Sequence, residues 1–377
     1  MLLIREAGPE DFPGVYRLAE LLDSYNLPAD RGYVRELLQT SRDSFAGRLP
    51  RAKARYLFVL ERTRSAGYKG PGTLAGCSLI IAKHGTPGHP HLWFSLNRII
   101  KYSRTLKIRR SHPVLRMGWT EDGPTEIGGL VVLPRCRKTP ERCGLQVSYA
   151  RFLYMGMHPE RFEESVLVEY RGAMGVGGRS PFWEAVGRKF TGLSYRRADR
   201  LSVTNKEFIL NLLPTEPIYR SLLPEKVQQA IGAIHPAARG AAHLAGRAGF
   251  RPIPQVEPFD GGPYYSAPLK GIRLIQRTRQ LRVAAVSEMS SSRKRGSRSS
   301  IKDFEDDFVD SRWSLPSATT EGGNDRYYLV GSEEGGFFRA AVVGAKMAGG
   351  RIRLAREALE RLNVKEGDTV HACPVPR

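Results

Sequence analysis

One histidine, His235, stands in the stretch AIGAIHPAARGAAHLAGRAGFR (230–251), between an apolar segment and a run of small residues, with a proline after it. Histidine is the side chain whose ordinary pKa, about 6.5, lies nearest neutrality, so it can give or take a proton where other residues cannot. At a helix boundary the ring has two uses: it caps the helix or it moves a proton. Pro236 removes a backbone N–H and fixes the chain direction, which aims the imidazole. A second chemical unit spans 126–145. EIGGLVVLP reads as an apolar strand stopped by Pro134, and RCRKTPERCG follows as a polar, basic loop. Beyond it Leu145, Tyr149, Phe152 and Leu153 recur at helical spacing. A basic loop feeding a helix start is an anion site, because free N–H groups and the helix dipole point at the anion. Gly144 permits close backbone approach, and Arg135, Arg137, Lys138 and Arg142 add charge.

Other candidates are plainer. His84, His89 and His91 sit in the Gly/Pro-rich AKHGTPGHPHLW without an acidic or cysteine ligand nearby in sequence, so a surface loop is expected and no metal. Glu169 and Arg171 in VEYRG either line a pocket or form a buried pair. Asp260-Gly261-Gly262-Pro263 reads as a tight turn.

The elements that must position these residues follow from periodicity. IREAGPEDFPGVYRLAELL predicts a strand, a turn at Gly8-Pro9 and an amphipathic helix whose start Glu10 and Asp11 favour. YLFVLER (56–62) and LAGCSLIIAK (74–83) are strands joined by the hairpin turn GYKGPGT. ESVLVEYRG (164–172) is another strand. In SPFWEAVGRKF, Ser180 caps a helix and Pro181 suits its first position. The pattern is α+β.

These motifs, in this order, resemble the arginine N-succinyltransferase family. The resemblance spans about residues 1–285 and, more loosely, the tail. It rests on YLFVLE (56–61), EIGGLVVLP, VEYRG (168–172), RSPFWEAVGRKF (179–190), NKEFI (205–209), PIYRSLLPE (217–225), IGAIHP (231–236) and FDGGP (259–263). It implies the acyl-CoA N-acyltransferase (GNAT) fold, a mixed, mostly antiparallel sheet flanked by helices, and transfer of succinyl from succinyl-CoA to the α-amino group of L-arginine, the opening step of arginine breakdown. It further implies that Leu130 contacts succinyl-CoA, that backbone N–H groups near it are free where two strands splay, and that His235 is the proton donor. Similar enzymes assemble as homo- or hetero-oligomers. The sequence departs from the family twice. WTEDG (119–123) replaces an Asn-Asp-His-Thr-Gly run, and Arg142 replaces the first glycine of a Gly-x-Gly phosphate loop. The alternative within enzymes is therefore a CoA-dependent N-acyltransferase with another acyl donor or amine.

The formal charge of +21 on 377 residues suits polyanionic partners, whether nucleic acid, lipid surface or a phosphate-rich co-substrate. Part of it is local, in SSSRKRGSRSS (290–300), which reads as a linker ahead of the acidic IKDFEDDFVD. The arginines of RIIKYSRTLKIRR (98–110) interleave with apolar residues and are expected on a folded surface. The expected organisation is an acyltransferase body over 1–285, a linker over 286–325 and a small β-rich domain over 326–377. By itself GRIRLAREALERLNVKEGDTVHA looks like swapped-hairpin DNA-binding regulators. That leaves a nucleic-acid-binding protein with an inactive acyltransferase body as the reading from another class, although AREALERL holds two glutamates among its two arginines. No apolar run is long enough to span a membrane and no secretory signal is read at the start. The four cysteines are too scattered for a disulfide framework, and a reducing cytoplasm fits.

Overall fold

The structure, a computed structural model, describes residues 2–22, 24, 26–62, 73–284 and 326–375. The turn expected over 67–73 (except Thr73) and the linker expected over 286–325 lie outside these residues.

Near-continuous apolar runs make strands that are buried on both faces. β1 (Leu2–Glu6), β2 (Arg55–Arg62) and β3 (Thr73–Ile81) are of this kind. Helices α1 (Phe12–Leu22) and α2 (Arg31–Phe45) pack against β2 and β3, and so does α3 (Cys143–Met157). Because β2 and β3 are buried on both faces, these helices sandwich the sheet. α3 is buried nearly all round, which places it in the middle of the molecule.

The remaining strands of the body are β4 (His91–Ser103), β5 (Ile108–Thr120), β6 (Thr125–Val132), β7 (Ser165–Glu169), β8 (Ile218–Tyr219), β9 (Arg251–Val256) and β10 (Pro263–Pro268). The tail adds β11 (Arg279–Ala284), β12 (Arg326–Ser332), β13 (Arg339–Ala348), β14 (Arg351–Arg353) and β15 (Thr369–Pro374). The sheet runs β12-β15-β11-β14-β13-β1-β2-β3-β6-β7-β10-β9-β4-β5-β8. Among the described residues only β6–β7 and β11–β14 are parallel pairs. The architecture is mixed α/β with a mostly antiparallel sheet.

Two irregularities in β6 shape the centre of the body. Its parallel pairing with β7 covers only Thr125↔Val166 and Glu126↔Leu167, after which the two strands part. On its other edge, Cys77 pairs with Val131 and Leu79 with Gly128, so β6 carries one extra residue at Gly129–Leu130. This is a β-bulge, and Gly129 holds the left-handed φ of +56° that such a bulge asks of glycine.

The arginine-rich stretch 98–110 forms the exposed outer half of the β4–β5 hairpin. Sequence reading had found neither this hairpin's strands nor α2. The hairpin's outer half alternates charge with apolar residues because neither face is covered. α2 is amphipathic at helical spacing and begins at Asp30, whose side chain accepts from Tyr33 N–H.

The small tail is a closed ring, because β12 pairs with β13 as well as with β15. It draws one strand, β11, from before the undescribed segment. β13 pairs with β1, which makes one continuous sheet of tail and body. Phe338, 1% exposed, fills the seam, with its ring 5.4 Å from that of Phe58 and 5.2 Å from that of Tyr154. In the tail's helix Arg356 pairs with Glu360 and Arg361 with Glu357, so these arginines are neutralised within the helix.

Replacing Phe338 with alanine should cost about 3–5 kcal/mol, the usual loss for a buried phenylalanine. Urea unfolding checks this, and an unchanged midpoint would mean that the tail is not held through this ring.

Candidate active site

The parting of β6 and β7 opens a cavity of about 2240 Å³, and all four residues singled out from sequence, Leu130, Arg142, Gly144 and His235, line it. They arrive from different elements. Leu130 sits on the bulge, which takes it out of the ladder with β3 and presents its backbone to the opening. Beyond the end of β6 the chain makes a short 3-10 turn, Pro134–Cys136, and then the basic loop. Arg137 Nε donates to the Val132 carbonyl at 2.8 Å, which folds the loop back over the strand end.

Arg142 is the N-cap of α3, with φ 50° and ψ 50°. This is the left-handed region, which glycine adopts freely; an arginine holds the position at a cost of about 1–2 kcal/mol. The first helical N–H that bonds back along the chain is that of Gln146, to Arg142 O. The amides of Cys143, Gly144 and Leu145 thus precede the helical ladder, at the end where α3 meets the cavity.

His235 N–H donates to Arg171 O at 2.8 Å, which ties the histidine to the chain leaving β7. The ring is also a cap: Nδ1 accepts the N–H of Ala237 at 3.2 Å, at the start of the turn Pro236–Ala238. An accepting Nδ1 carries a lone pair, so the proton of the neutral ring sits on Nε2. The two uses considered for this residue are compatible, since capping fixes the tautomer.

Carboxylates gather in the same cavity. Glu169, Asp199, Glu257 and Asp260 all line it. Asp260 and Glu257 belong to the FDGGP turn and its approach. Asp260 accepts from the N–H groups of Gly172 and Gly262, and Glu257 from those of Phe259 and Asp260. Gly261 turns the chain with a φ of +71°. Burial pushes Glu169 well above the usual carboxylate range, reinforced by the charges of Glu126 and Asp260. Burial likewise raises Glu257 and Asp260. Lys206, 7% exposed, lies among them and donates to Pro90 O at 3.0 Å. Arg171 also lines the cavity.

The loop histidines require a correction. Of the three expected on the surface, His84 lines the cavity and His91 is buried in β4. His84 also has an acidic neighbour, Glu126, from a strand some forty residues on: the pair approaches to 2.6 Å. Local sequence could not reveal it, because the register of β3 with β6 brings the two together. WTEDG lies against the same loop, with Gly123 N–H donating to Gly85 O at 3.3 Å and His84 N–H to O of the following Pro124 at 2.7 Å, while Glu121 and Asp122 remain exposed. Among the described residues no group of three or more ligating side chains is arranged to hold a metal ion.

Residues 2–274 match the family described as arginine N-succinyltransferase beta subunit, and residues 312–374 match that subunit's C-terminal domain. The chain belongs to the arginine N-succinyltransferase family. The arginine N-succinyltransferase subunit alpha of Pseudomonas aeruginosa is 32% identical to it over 386 aligned positions, covering 100% of both chains. The arginine N-succinyltransferase of an Enterobacter species is 31% identical over 287, covering 75% of this chain and 81% of that one. Among solved structures, the arginine/ornithine succinyltransferase subunit AI of Pseudomonas aeruginosa matches with a TM-score of 0.78 at 31% identity, covering 100% of this chain and 99% of the other. Among the described residues no helix is long and apolar enough to cross a membrane.

The raised carboxylates predict a stability effect with a definite sign. A carboxyl whose folded pKa lies above its unfolded value favours folding below the unfolded pKa, and that stability is lost as pH rises through the folded pKa. Glu169→Gln removes the penalty. It should raise Tm at pH 7 to 8 by about 1–2 °C, the shift expected for about 1 kcal/mol in a chain of this length, with the gain gone below about pH 4. Melting curves across this range decide it, and a variant less stable at every pH would refute the assignment of a raised pKa.

Proposed function

We propose that this chain transfers the succinyl group of succinyl-CoA to the α-amino group of L-arginine, on an acyl-CoA N-acyltransferase (GNAT) fold. The observation that carries this reading is one cavity with two chemical characters. A basic loop and a helix start lie beyond the C-terminal end of β6, and buried carboxylates lie beside its N-terminal half. Glu126 and Val132 are six residues apart, about 20 Å along a strand. That spacing separates a site for the anionic CoA from a site for a cationic acceptor, with Leu130 between them.

In this reading the phosphates of CoA rest on the amides of α3, with Lys138 and Arg142 adding charge. The thioester reaches the bulge, where backbone N–H groups freed from the ladder stabilise the oxyanion of the tetrahedral adduct. The acceptor cation lies among Glu169, Glu257 and Asp260. Its positive charge favours their ionised forms and so offsets the cost that burial imposes on them. The amine nitrogen forms the new bond to the carbonyl carbon, and the C–S bond breaks with its electron pair going to sulfur. His235 presents Nε2–H to the departing sulfur as its proton donor. The second proton shed by the nitrogen, as it becomes an amide, balances the one the sulfur takes.

The relatives named as subunits support an oligomeric assembly for this chain. The four cysteines are buried and unpaired, which suits a cytoplasmic setting.

A thiol-release assay with a panel of acyl-CoAs against arginine, ornithine and lysine tests the reaction, with succinyl-CoA and arginine expected to be the fastest pair. No release above background with any pair would reject it. His235→Asn separates cap from donor, because the asparagine oxygen still accepts the Ala237 N–H while Nε2–H is lost. It should lower kcat by about 100-fold with CoA affinity and Tm nearly unchanged. A fully active variant would leave the ring a cap alone.

A further inference from the structure

Glu126 is 1% exposed and sits at the last paired position of β6 before the strand leaves β7. Its Oε1 accepts from Asn26 Nδ2 at 2.7 Å, and its Oε2 lies 2.6 Å from Nδ1 of His84. Burial alone would raise its pKa, but His84 and Asn26 outweigh burial and hold it at about 2. It is therefore an anion wherever the protein works. The contact is an ion-pair approach rather than an aligned hydrogen bond, and an anionic oxygen at that distance favours a proton on Nδ1 of His84. In its neutral form that ring has its lone pair on Nε2. The side chain is 11% exposed and the ring lines the cavity.

His235 is held the other way round, with Nδ1 accepting and Nε2–H outward. The protein thus fixes two imidazoles of one cavity in opposite tautomers, one presenting an acceptor and one a donor. The order of events in amide formation needs such a pair. An ammonium has no lone pair, so the acceptor must lose a proton before it attacks, whereas the sulfur must gain one as it leaves.

We infer that His84, oriented by Glu126, is the catalytic base that takes the first proton from the acceptor's α-ammonium. The inference rests on the succinyl-transfer reading and adds a residue to it. The α-ammonium gives its proton to Nε2 of His84, the freed lone pair forms the N–C bond, and the proton passes from His84 to water. Glu169, Glu257 and Asp260 line the same cavity and, in the reading above, hold the acceptor's positive charge. The ring of His91 lies 4.8 Å from that of His84 and burial keeps it neutral, and Lys206, which acts on His91 and Glu126, has its ammonium disfavoured by burial. Glu126 is a positioning residue, since it acts through His84.

The test uses the full-length chain, succinyl-CoA and arginine. His84→Asn keeps an N–H where Nδ1 was, so Glu126 retains its donor, but it has no proton acceptor at Nε2. It should lower kcat/KM for arginine by about 100-fold with succinyl-CoA affinity and Tm unchanged. In the wild type the rate should reach a plateau as pH rises. In His84→Asn it should keep climbing with pH as free amine accumulates. Added imidazole should restore rate to His84→Ala in proportion to its concentration, which a structural role would not allow. Activity of His84→Asn within about threefold of wild type with the same pH profile would overturn the assignment. So would failure of imidazole to rescue a folded His84→Ala. If instead the wild-type chain releases no thiol from succinyl-CoA with arginine, the functional reading itself fails and the assignment falls with it.

Discussion

The site depends on a parallel pair of strands that stay together for only two residues. Beyond Glu126↔Leu167, β6 and β7 separate, and the backbone groups that would have bonded across the gap need other partners. A fold meets that demand with water, with side chains or with a ligand. The bulge at Gly129–Leu130 compounds the effect on the opposite edge of β6, so the strand's middle is freed from the ladder on both sides. Everything chemical is arranged around this opening. α3 starts beside it, β7 ends in it with Glu169, and the chain leaving β7 holds His235 through Arg171 O.

Charge is distributed against the trend of the chain. The protein carries +21 overall, yet its cavity concentrates carboxylates, three of them with raised pKa values. Burying like charges together destabilises a fold unless something is gained in return. A cationic acceptor supplies the missing counter-charge. Glu126 shows the contrasting case. It is 1% exposed, but His84 and Asn26 hold it ionised. Two carboxylate behaviours, ionised and protonated, arise from partners rather than from residue type.

The tail is part of this economy of packing. Its ring of strands joins the body's sheet through β13 and β1, and Phe338 enters an aromatic cluster with Phe58 and Tyr154. Tyr154 lies on α3, so the helix that opens onto the cavity is braced at its far end by the tail. The sheet reading over 56–62 and 74–83 and the strand-loop-helix reading over 126–157 correspond to β2, β3, β6 and α3. Such runs state their own burial, because an unbroken apolar strand has no solvent face to show.

Residue type and spacing pointed to His235, Arg142 and Gly144, because each sits at a boundary that leaves a local mark, a proline, a glycine or a change of periodicity; Leu130, and the proton-donor role of His235, came only from the resemblance to the family. The role of His84 left no such mark. Its loop is rich in glycine and proline, which reads as surface, and its partner Glu126 lies in a strand that local pattern describes only as apolar. Register decided the matter, since pairing β3 with β6 sets Ile81 opposite Glu126 and so brings the loop after β3 onto the carboxylate. The same holds for tautomers. Sequence can name an imidazole, but which nitrogen carries the proton depends on what the other nitrogen touches, and that is settled only when distant segments of the chain have packed.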